Sequence, residues 1–284
     1  MEPQDRCCEY LSGISPVWCP GCGYYGILSA LVEAFAELKL PTQELALISG
    51  IGCASRLPYF VKTYGFHGIH GRALPIAQGV KMANPDLTVV VVGGDGDGLA
   101  IGGGHLPHVA RNNVDLTYLL FNNAIYGMTK GQFSPTTTLS NVTKTSPFGL
   151  TGEAINPAAL AITYGATFVA RGFSVKKEHL RDLIIQAMRH PGFSFVEILT
   201  SCSSFNTIDM NVARIVNNQD LVNPDHDVED RLAALRLASD EKKIHLGVYY
   251  RSRRPTLEDK FKEMRSSAHA KAKSRPEGLV KQFL

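Results

Sequence analysis

The chain has 284 residues, of which 44% are hydrophobic, and its formal net charge is +3. This length is enough for one large α/β domain or two small ones. No apolar run approaches the roughly 18 residues that a membrane span requires, and Met1–Tyr10 is polar, unlike the hydrophobic part of a signal peptide. We therefore expect a cytoplasmic protein that is not inserted in a membrane.

The charge is distributed unevenly along the chain. Residues 250–284 contain ten Lys or Arg and four Asp or Glu, a balance of +6, so the remainder carries −3. A basic tail can bind an acidic partner or nucleic acid, but an extension that is solvated or packed against a protein partner is the simpler interpretation. We expect a domain at residues 1–245, a basic C-terminal extension at 246–284, and no nucleic-acid partner.

Helices and strands alternate along the predicted fold. The hydrophobic pattern predicts, in chain order, a helix at Tyr24–Leu38, a strand at Leu45–Ser49, a helix at Arg72–Ala83, a strand at Leu87–Val92, a loop at Gly93–Gly98, a helix at Gly103–Arg111, a strand at Leu116–Phe121, a long loop rich in Ser, Thr, Gly and Pro at Thr129–Asn156, a helix at Pro157–Tyr164, a strand at Ala166–Ala170, a helix at Lys176–Arg189 and a strand at Ser194–Leu199.

This alternation predicts an α/β fold with a doubly wound, mostly parallel sheet. The β-branched run at Leu87–Val92 is typical of a strand that is buried on both faces. In such sheets the ligand-binding loops lie at the carboxyl ends of the strands. The loops after Ser49, Val92, Phe121 and Leu199 should therefore meet at one edge of the sheet.

Two polar groups follow neighbouring apolar strands at this edge. Gly94-Asp95-Gly96 ends one strand and Asn122-Asn123 ends the next. Asp95 can give a carboxylate oxygen, Asn123 an amide oxygen and Ile125 its backbone carbonyl to Mg²⁺, which takes its other ligands from phosphates and water. Glycines allow backbone amides to approach a diphosphate closely. The arrangement resembles the diphosphate-binding signature of thiamine-diphosphate enzymes.

Three other interpretations of the glycine-rich segment are open. A dinucleotide-binding G-x-G-x-x-G pattern is not met, because Leu99 or Ile101 occupies the position of the third glycine. A calcium loop that begins at Asp95 would have Leu106 where the bidentate Glu belongs. A turn without a ligand uses the same residue types, but it does not explain why both polar groups follow apolar strands.

The cysteines indicate metal or redox chemistry more than disulfides, because no export signal is found. Cys19-Pro-Gly-Cys22 alone is compatible with a thioredoxin-like pair, with half of a zinc site completed by His67 and His70, or with half of an iron–sulfur site. A [4Fe–4S] cluster needs four thiolates, and Cys53 and Cys202 supply two more from the predicted ligand edge. The adjacent pair at positions 7 and 8 is not assigned.

Several segments of the chain carry a family resemblance. They are Ser15–Gly23, Gly50–Cys53, His70–Ala73, Gly93–Asp97 with Ile101, Gly102 and His105, and Phe121–Gln132. Together they are similar to the β subunit of 2-oxoacid:ferredoxin oxidoreductases, over about residues 12–205, with a weaker similarity at Leu246–Pro255. The segment Ser15–Cys22 is most similar to the 2-oxoglutarate members of this family.

The resemblance implies a set of cofactors and the residues that bind them. The cofactors are thiamine diphosphate, Mg²⁺ and a [4Fe–4S] cluster, with coenzyme A as co-substrate. The implied Mg²⁺ ligands are Asp95, Asn123 and the Ile125 carbonyl, and the implied cluster ligands are Cys19, Cys22, Cys53 and Cys202. The residues expected around the thiamine cofactor are Gly52, Cys53, His70, Arg72, Gly94, Asp95, Gly96, Asp97, Asn123, Ile125, Tyr126, Gly127, Met128 and Thr129.

The resemblance also implies an activity. It is the reversible, coenzyme A-dependent oxidative decarboxylation of a 2-oxoacid to an acyl-CoA and CO₂, with electrons passed through the cluster to ferredoxin. The cofactor supplies the carbanion chemistry, so no side chain is assigned as a nucleophile. Thiamine enzymes bind their cofactor between two α/β domains, and only one is predicted here. We therefore expect the α (or fused γ/α) subunit to supply the Glu that activates the cofactor.

The substrate is 2-oxoglutarate in the favoured interpretation. Arg56 follows Cys53 by three residues, where a guanidinium could pair with a carboxylate remote from the keto group. Arg56 could instead bind the partner subunit or a phosphate of coenzyme A. The alternatives for the whole chain are the same chemistry on pyruvate or a branched-chain 2-oxoacid, a non-redox thiamine enzyme, and a non-catalytic iron–sulfur or zinc protein.

Overall fold

The computed structural model describes residues 7–139, 142–143, 145–206 and 212–271. Within these ranges no helix combines the length and the apolar character that crossing a bilayer requires. The end of the predicted basic extension, residues 272–284, lies outside the described part of the chain.

The centre of the fold is a single sheet. Its strands are β1 (Leu45–Ser49), β2 (Tyr64–His67), β3 (Thr88–Gly94), β4 (Leu116–Asn122), β5 (Phe168–Phe173), β6 (Phe193–Leu199), β7 (Gln219–Leu221) and β8 (Ile244–Arg251). They lie in the order β2-β1-β3-β4-β6-β5-β8-β7. All neighbouring pairs are parallel except β5 and β8, so most of the sheet is parallel as predicted.

Helices cover both faces of this sheet. They are α1 (Tyr24–Leu38), α2 (Ala73–Ala83), α3 (Leu106–Asn112), α4 (Pro157–Tyr164), α5 (Lys177–Arg189), α6 (Val212–Asn218), α7 (Arg231–Ala238) and α8 (Leu257–Lys271). Successive strand residues point to opposite faces, so Leu45 and Leu47 join the core under α1 and α5, whereas Ala46 and Ile48 join the core under α2, α3 and α4. The predicted doubly wound α/β fold is confirmed.

The predicted helices and strands begin and end within three residues of the observed ones. The loop predicted at Gly93–Gly98 is wrong, because β3 continues to Gly94 and a π-helical turn at Asp97–Ile101 follows almost directly. Strand β2 was missed, since three of its four residues are exposed at the sheet edge and carry no hydrophobic pattern. The described part of Thr129–Asn156 contains no helix or strand, as predicted.

Strand β8 crosses the proposed boundary between residues 245 and 246. It pairs with β5 in antiparallel register. Its Tyr249 is buried in the core under α2, α3 and α4, and its Leu246 is buried in a separate small cluster with Phe173, Leu199 and Ile215. Gly247 lies opposite Arg171 of β5. Residues 244–251 therefore belong to the sheet, and the part of the predicted extension that lies outside the sheet begins after Arg251.

A buried polar network ties this strand to the centre of the sheet. Arg171 Nε lies 2.8 Å from Glu197 Oε2, and Arg171 Nη1 donates to the Tyr249 hydroxyl at 2.8 Å. Glu197 Oε1 accepts a 2.7 Å hydrogen bond from Asn122 Nδ2. Loss of one partner of a buried ion pair typically costs about 3–5 kcal/mol, because the other charge is left without compensation. The network therefore holds β4, β5, β6 and β8 in one arrangement.

Candidate active site

A cavity of about 500 Å³ opens at the carboxyl edge of β1, β3 and β4. Its walls come from the loops that the sequence predicted to meet there. The residues that line it are Tyr24, Ile51, Gly52, Cys53, Ala54, His70, Gly94, Asp95, Gly96, Asp97, Asn123, Ile125, Tyr126, Gly127, Met128, Thr129 and Gln132. A larger groove of about 810 Å³ lies between the end of α2 and α8, and none of the predicted site residues lines it.

Asp97 fixes two loops of the cavity. Its Oδ1 accepts the N–H groups of Ile51 at 3.0 Å and Gly71 at 2.7 Å, and it lies 2.8 Å from His70 Nδ1. An ionised carboxylate only accepts hydrogen bonds, so the His70 proton is on Nδ1 and, in the neutral ring, Nε2 is an acceptor. Asp97 therefore orients the His70 ring beside the cavity.

Asp95 is a buried carboxylate in the cavity wall, with 1% of its surface exposed. Its Oδ2 lies 2.7 Å from the Thr136 hydroxyl. Burial raises the pKa of Asp95 to about 6, and hydrogen bonds to the carboxylate offset only part of this effect. A divalent cation would stabilise the charged form, so the buried carboxylate fits the predicted role in binding Mg²⁺.

Asn123, Ala124 and Ile125 form a tight turn beside Asp95. Asn123 Oδ1 accepts the Ile125 N–H at 3.2 Å, and Asn123 Nδ2 donates to the Tyr24 hydroxyl at 3.1 Å. Ala124 has a left-handed φ of +53°, which is unfavourable for a residue with a Cβ. The Thr137 hydroxyl donates to the Ala124 carbonyl at 2.7 Å and stabilises this conformation.

Gly96 lies directly under the ring of Tyr126. A Cβ at position 96 would be 2.3 Å from the Tyr126 ring, and the Tyr126 hydroxyl donates to the Gly96 carbonyl at 2.9 Å. Only glycine allows this close approach. The cavity therefore combines close-packed backbone, a buried carboxylate and amide oxygens, which is a donor set suited to a diphosphate with its Mg²⁺.

The four cysteines predicted to bind a cluster come from three segments that are hydrogen-bonded together. Trp18, which precedes Cys19, donates its indole N–H to the Cys53 carbonyl at 2.7 Å. Ser203, which follows Cys202, donates its hydroxyl to the Pro20 carbonyl at 2.8 Å. The Cys19–Cys22 turn is thus attached to both other cysteine segments.

The sulfur atoms converge beside the cavity. A Cβ built at Gly127 would lie 3.7 Å from Cys202 Sγ and 3.9 Å from Cys53 Sγ. The pKa of Cys22 is raised to about 12, mainly by burial and to a smaller extent by the charges of Cys202, Cys53 and Cys19. Cys22 therefore becomes a thiolate at neutral pH only if a bound cation compensates its charge.

The donor set fits a cluster better than a single ion. Among the described residues, no three His, Cys, Asp or Glu side chains are close enough to hold one metal ion. His67 and His70 therefore do not complete a zinc site with Cys19 and Cys22 in the described part of the chain. In a [4Fe–4S] cluster the four thiolates bind four different irons.

Among the residues predicted to contact thiamine diphosphate or the substrate, Arg72 and Arg56 do not line the cavity. Arg72 Nη1 donates to the backbone carbonyls of Gly71 and Ile101, at 3.3 Å and 3.2 Å. Arg56 is half-buried beside the cavity, and its charge lowers the pKa of Cys53, although burial and the charge of Cys202 leave that pKa raised overall. The remaining predicted thiamine residues line the cavity.

Two residues that support the site were not predicted. Tyr24 is 2% exposed and contacts Asn123 through its hydroxyl, but in the sequence it appears as the first residue of an amphipathic helix. Thr136 contacts Asp95 from the middle of the long loop. The run of Ser and Thr at 134–137 in an otherwise irregular loop is the signal that could have indicated it.

Two protein-family models match this chain and indicate the class of enzyme to which its fold belongs. Residues 50–198 match the family model described as "Thiamine pyrophosphate enzyme, C-terminal TPP binding domain", and residues 202–266 match the model for the C-terminal part of the pyruvate ferredoxin oxidoreductase beta subunit. The fold and the cavity are therefore those of the diphosphate-binding domain of a thiamine-dependent enzyme.

Individual relatives define the family. The chain is 42% identical over 248 residues to the 2-oxoacid:ferredoxin oxidoreductase subunit beta of Saccharolobus solfataricus, covering 83% of this chain and 81% of that one. It is 50% identical over 189 residues to the 2-oxoglutarate oxidoreductase subunit KorB of Mycobacterium tuberculosis, covering 66% of this chain and 51% of that one. The chain belongs to the β subunits of 2-oxoacid:ferredoxin oxidoreductases, which work in multi-subunit enzymes.

A solved structure extends the similarity to nearly the whole chain. It is 2-oxoglutarate:ferredoxin oxidoreductase from Magnetococcus marinus with 2-oxoglutarate, coenzyme A and succinyl-CoA bound. The TM-score is 0.94 at 42% identity, and the match covers 99% of this chain and 96% of that one.

Proposed function

We propose that this chain is the β subunit of a 2-oxoglutarate:ferredoxin oxidoreductase. The complex would catalyse the reversible, coenzyme A-dependent oxidative decarboxylation of 2-oxoglutarate to succinyl-CoA and CO₂, and pass the electrons through a [4Fe–4S] cluster to ferredoxin. The similarity to the Mycobacterium tuberculosis and Magnetococcus marinus proteins, both named for 2-oxoglutarate, supports this substrate.

The observation that carries the proposal is the shared wall at Gly127. This residue lines the cavity that contains Asp95 and Asn123, and the sulfurs of Cys53 and Cys202 are immediately beside it. A diphosphate site and a four-thiol site are therefore separated by one stretch of backbone. An electron-accepting cluster beside a thiamine site is what an oxidative decarboxylase needs and a non-redox one does not.

The roles of the residues follow from this geometry. Asp95, Asn123 and the Ile125 carbonyl would hold Mg²⁺, and Cys19, Cys22, Cys53 and Cys202 would hold the cluster. Thiamine diphosphate, when bound, supplies the carbanion chemistry of decarboxylation. The protein contributes orientation: Tyr126 stays against Gly96, Asp97 fixes the His70 ring, and Trp18 fixes the backbone of Cys53.

A second polypeptide is part of the proposal. The described residues form one α/β domain, whereas thiamine enzymes bind their cofactor between two. The Glu that activates the cofactor would come from the α (or fused γ/α) subunit, and coenzyme A and ferredoxin would bind to the assembled enzyme. The whole would act in the cytoplasm, without nucleic acid.

The test is a comparison of the isolated chain with the complex. Both are purified under anaerobic conditions, analysed for iron, sulfide and thiamine diphosphate, and assayed for coenzyme A-dependent reduction of ferredoxin by 2-oxoglutarate. We expect about four iron and four sulfide per β chain and turnover only by the complex. Stoichiometric zinc instead of iron, or robust turnover by the isolated chain, would contradict the proposal.

Arg56 is the residue proposed to select the substrate. Its side chain is half-buried, and its charge acts on Cys53, which lines the cavity. A charge-assisted hydrogen bond contributes roughly 1.5–3 kcal/mol. Arg56→Ala should therefore lower the ratio of kcat/KM for 2-oxoglutarate over pyruvate about tenfold or more.

The ratio is measured in the reconstituted complex, with Arg111→Ala as a control at an exposed arginine on α3. A wild-type ratio below one would contradict the substrate assignment. If the ratio is high and Arg56→Ala leaves it unchanged, the assignment of 2-oxoglutarate as substrate is kept, but Arg56 does not recognise it.

A further inference from the structure

Buried hydroxyl groups of one loop lie close to Asp95, and those of Ser134 and Thr136 hydrogen-bond its carboxylate. Ser134, Thr136 and Thr137 belong to the long irregular loop, yet they are only 5%, 6% and 1% exposed. Thr136 does not line the thiamine cavity, but its hydroxyl lies 2.7 Å from Asp95 Oδ2. The loop therefore contributes to the site through its contact with the carboxylate.

The single hydroxyl proton of Thr136 has two acceptors within reach. One is Asp95 Oδ2, and the other is Asn122 Oδ1 at 2.8 Å. Asn122 Oδ1 already accepts the N–H of Ala124 at 3.1 Å, whereas a carboxylate oxygen is the stronger acceptor. The Thr136 hydroxyl therefore donates a bifurcated hydrogen bond to both oxygens, and the carboxylate is the stronger of the two acceptors.

The orientation of Asn122 is fixed from its other side. Asn122 Nδ2 donates to Glu197 Oε1 at 2.7 Å, and Glu197 is held by Arg171 through its second oxygen. The amide cannot rotate by 180° without directing its oxygen at the Glu197 carboxylate. Asn122 thus stays an acceptor beside Thr136 and keeps the hydroxyl in place.

The neighbouring residue holds the backbone of the same loop. The Thr137 hydroxyl donates to the Ala124 carbonyl at 2.7 Å and accepts the Ser134 N–H at 2.9 Å. Its proton is therefore already used, and Thr137 cannot replace Thr136 as a donor to Asp95. Ser134 also hydrogen-bonds the Asp95 carboxylate, so Thr136 is one of two hydroxyl donors. Thr136 is the donor that is fixed at Oδ2 through its contact with Asn122.

We infer that Thr136 is a positioning residue for the metal ligand Asp95. By binding Oδ2 it holds the carboxylate in one rotamer and leaves Oδ1 for the cation. This inference rests on the proposed function, because it requires that Asp95 binds Mg²⁺ with thiamine diphosphate. It assigns to the loop a role in affinity for the metal and not in the chemical step.

The experiment compares Thr136→Val, which keeps the shape and removes the donor, with Thr136→Ser, which keeps the donor. Thr151→Val, at an exposed position of the same loop, is the matched control. Each variant is prepared as the complete complex, and binding of thiamine diphosphate is measured by equilibrium dialysis over a Mg²⁺ titration. Thermal unfolding without cofactor is recorded for each.

We expect Thr136→Val to raise the Mg²⁺ concentration for half-maximal thiamine diphosphate binding about tenfold or more, and Thr136→Ser to change it less than about threefold. A purely structural role would lower the unfolding temperature of the cofactor-free complex without this Mg²⁺ dependence.

Several outcomes would overturn the inference. If Thr136→Val shows normal Mg²⁺ dependence while Asp95→Asn loses binding, Thr136 does not position Asp95. The proposed function would still hold in that case. Normal binding in both variants would remove the Mg²⁺ assignment itself. If Thr136→Val fails to assemble, Thr136→Ala makes the same comparison with Thr136→Ser without adding bulk, and equal Mg²⁺ dependence of those two variants would contradict the role of the hydroxyl.

Discussion

Asp95→Asn is expected to abolish Mg²⁺-dependent binding of thiamine diphosphate while leaving the cofactor-free protein folded. Asp95 is the only charged protein ligand in the proposed Mg²⁺ shell, and Asn has nearly the same shape. A ligand at a hundred times its Kd stabilises a protein by about 2.7 kcal/mol. The wild-type complex should show a shift in unfolding temperature on addition of Mg²⁺ and thiamine diphosphate, and the variant should show none.

The same substitution should increase the stability of the cofactor-free protein at neutral pH. Burial raises the pKa of Asp95 from 3.8 to about 6, so between these values the folded state binds the proton more tightly than the unfolded chain does. The free energy of unfolding therefore falls as the pH rises from about 4 to 6. Above pH 6 the charged carboxylate costs about 3 kcal/mol, and Asn removes this cost.

The measurement is thermal unfolding of the cofactor-free and cofactor-loaded complexes from pH 4 to 8. Asp86→Asn, which removes the same charge from an exposed position, is the control and should change neither the pH profile nor the cofactor shift. A normal shift with Mg²⁺ and thiamine diphosphate in Asp95→Asn would show that the metal assignment is wrong.

Replacing any one of Cys19, Cys22, Cys53 and Cys202 by Ser is expected to remove most of the iron and the ferredoxin-reducing activity. The thiolate is the cluster ligand, and a serine hydroxyl is a poor substitute for it. Burial raises the pKa of Cys22 to about 12, so its thiolate has to be stabilised by the bound iron. Iron and sulfide are measured on complexes that are purified without oxygen.

Exposed Cys8 offers the matched control. Cys8→Ser should retain iron, sulfide and activity at the wild-type level. Thiamine diphosphate binding should persist in the four ligand variants, because Asp95 and Asn123 belong to other loops. Full iron content in two or more of the ligand variants would contradict the four-thiolate assignment.

Local patterns were sufficient to predict the fold and the wall of the cavity. Buried strands such as Thr88–Gly94 are continuous apolar runs, and each ends in the polar residues that line the site. Because β3 and β4 are parallel neighbours, the residues that follow their ends, Asp95 and Asn123, lie close together. The ends of the strands are enough to predict this meeting point, and no side-chain contact has to be known.

The supporting contacts could not be predicted in the same way. Thr136 reaches Asp95 from an irregular loop, and no periodic pattern determines where such a loop returns to the sheet. Strand β2 has exposed side chains, so its pairing with β1 leaves no hydrophobic signal. The direction of the Arg72 side chain depends on the carbonyls at the end of the π-helical turn, which was predicted as a loop.

The insertion of β8 between β5 and β7 has a consequence for biosynthesis. Val169 pairs with Tyr250, and β7 is hydrogen-bonded only to β8 among the described strands. Until residues 244–251 have left the ribosome, one edge of β5 has no partner, although β1 to β6 have already been synthesised. An open strand edge is a template for pairing with other chains, and contacts between distant residues form slowly. The nascent chain therefore passes through a stage in which it is prone to aggregation, and that stage ends when β8 closes the sheet.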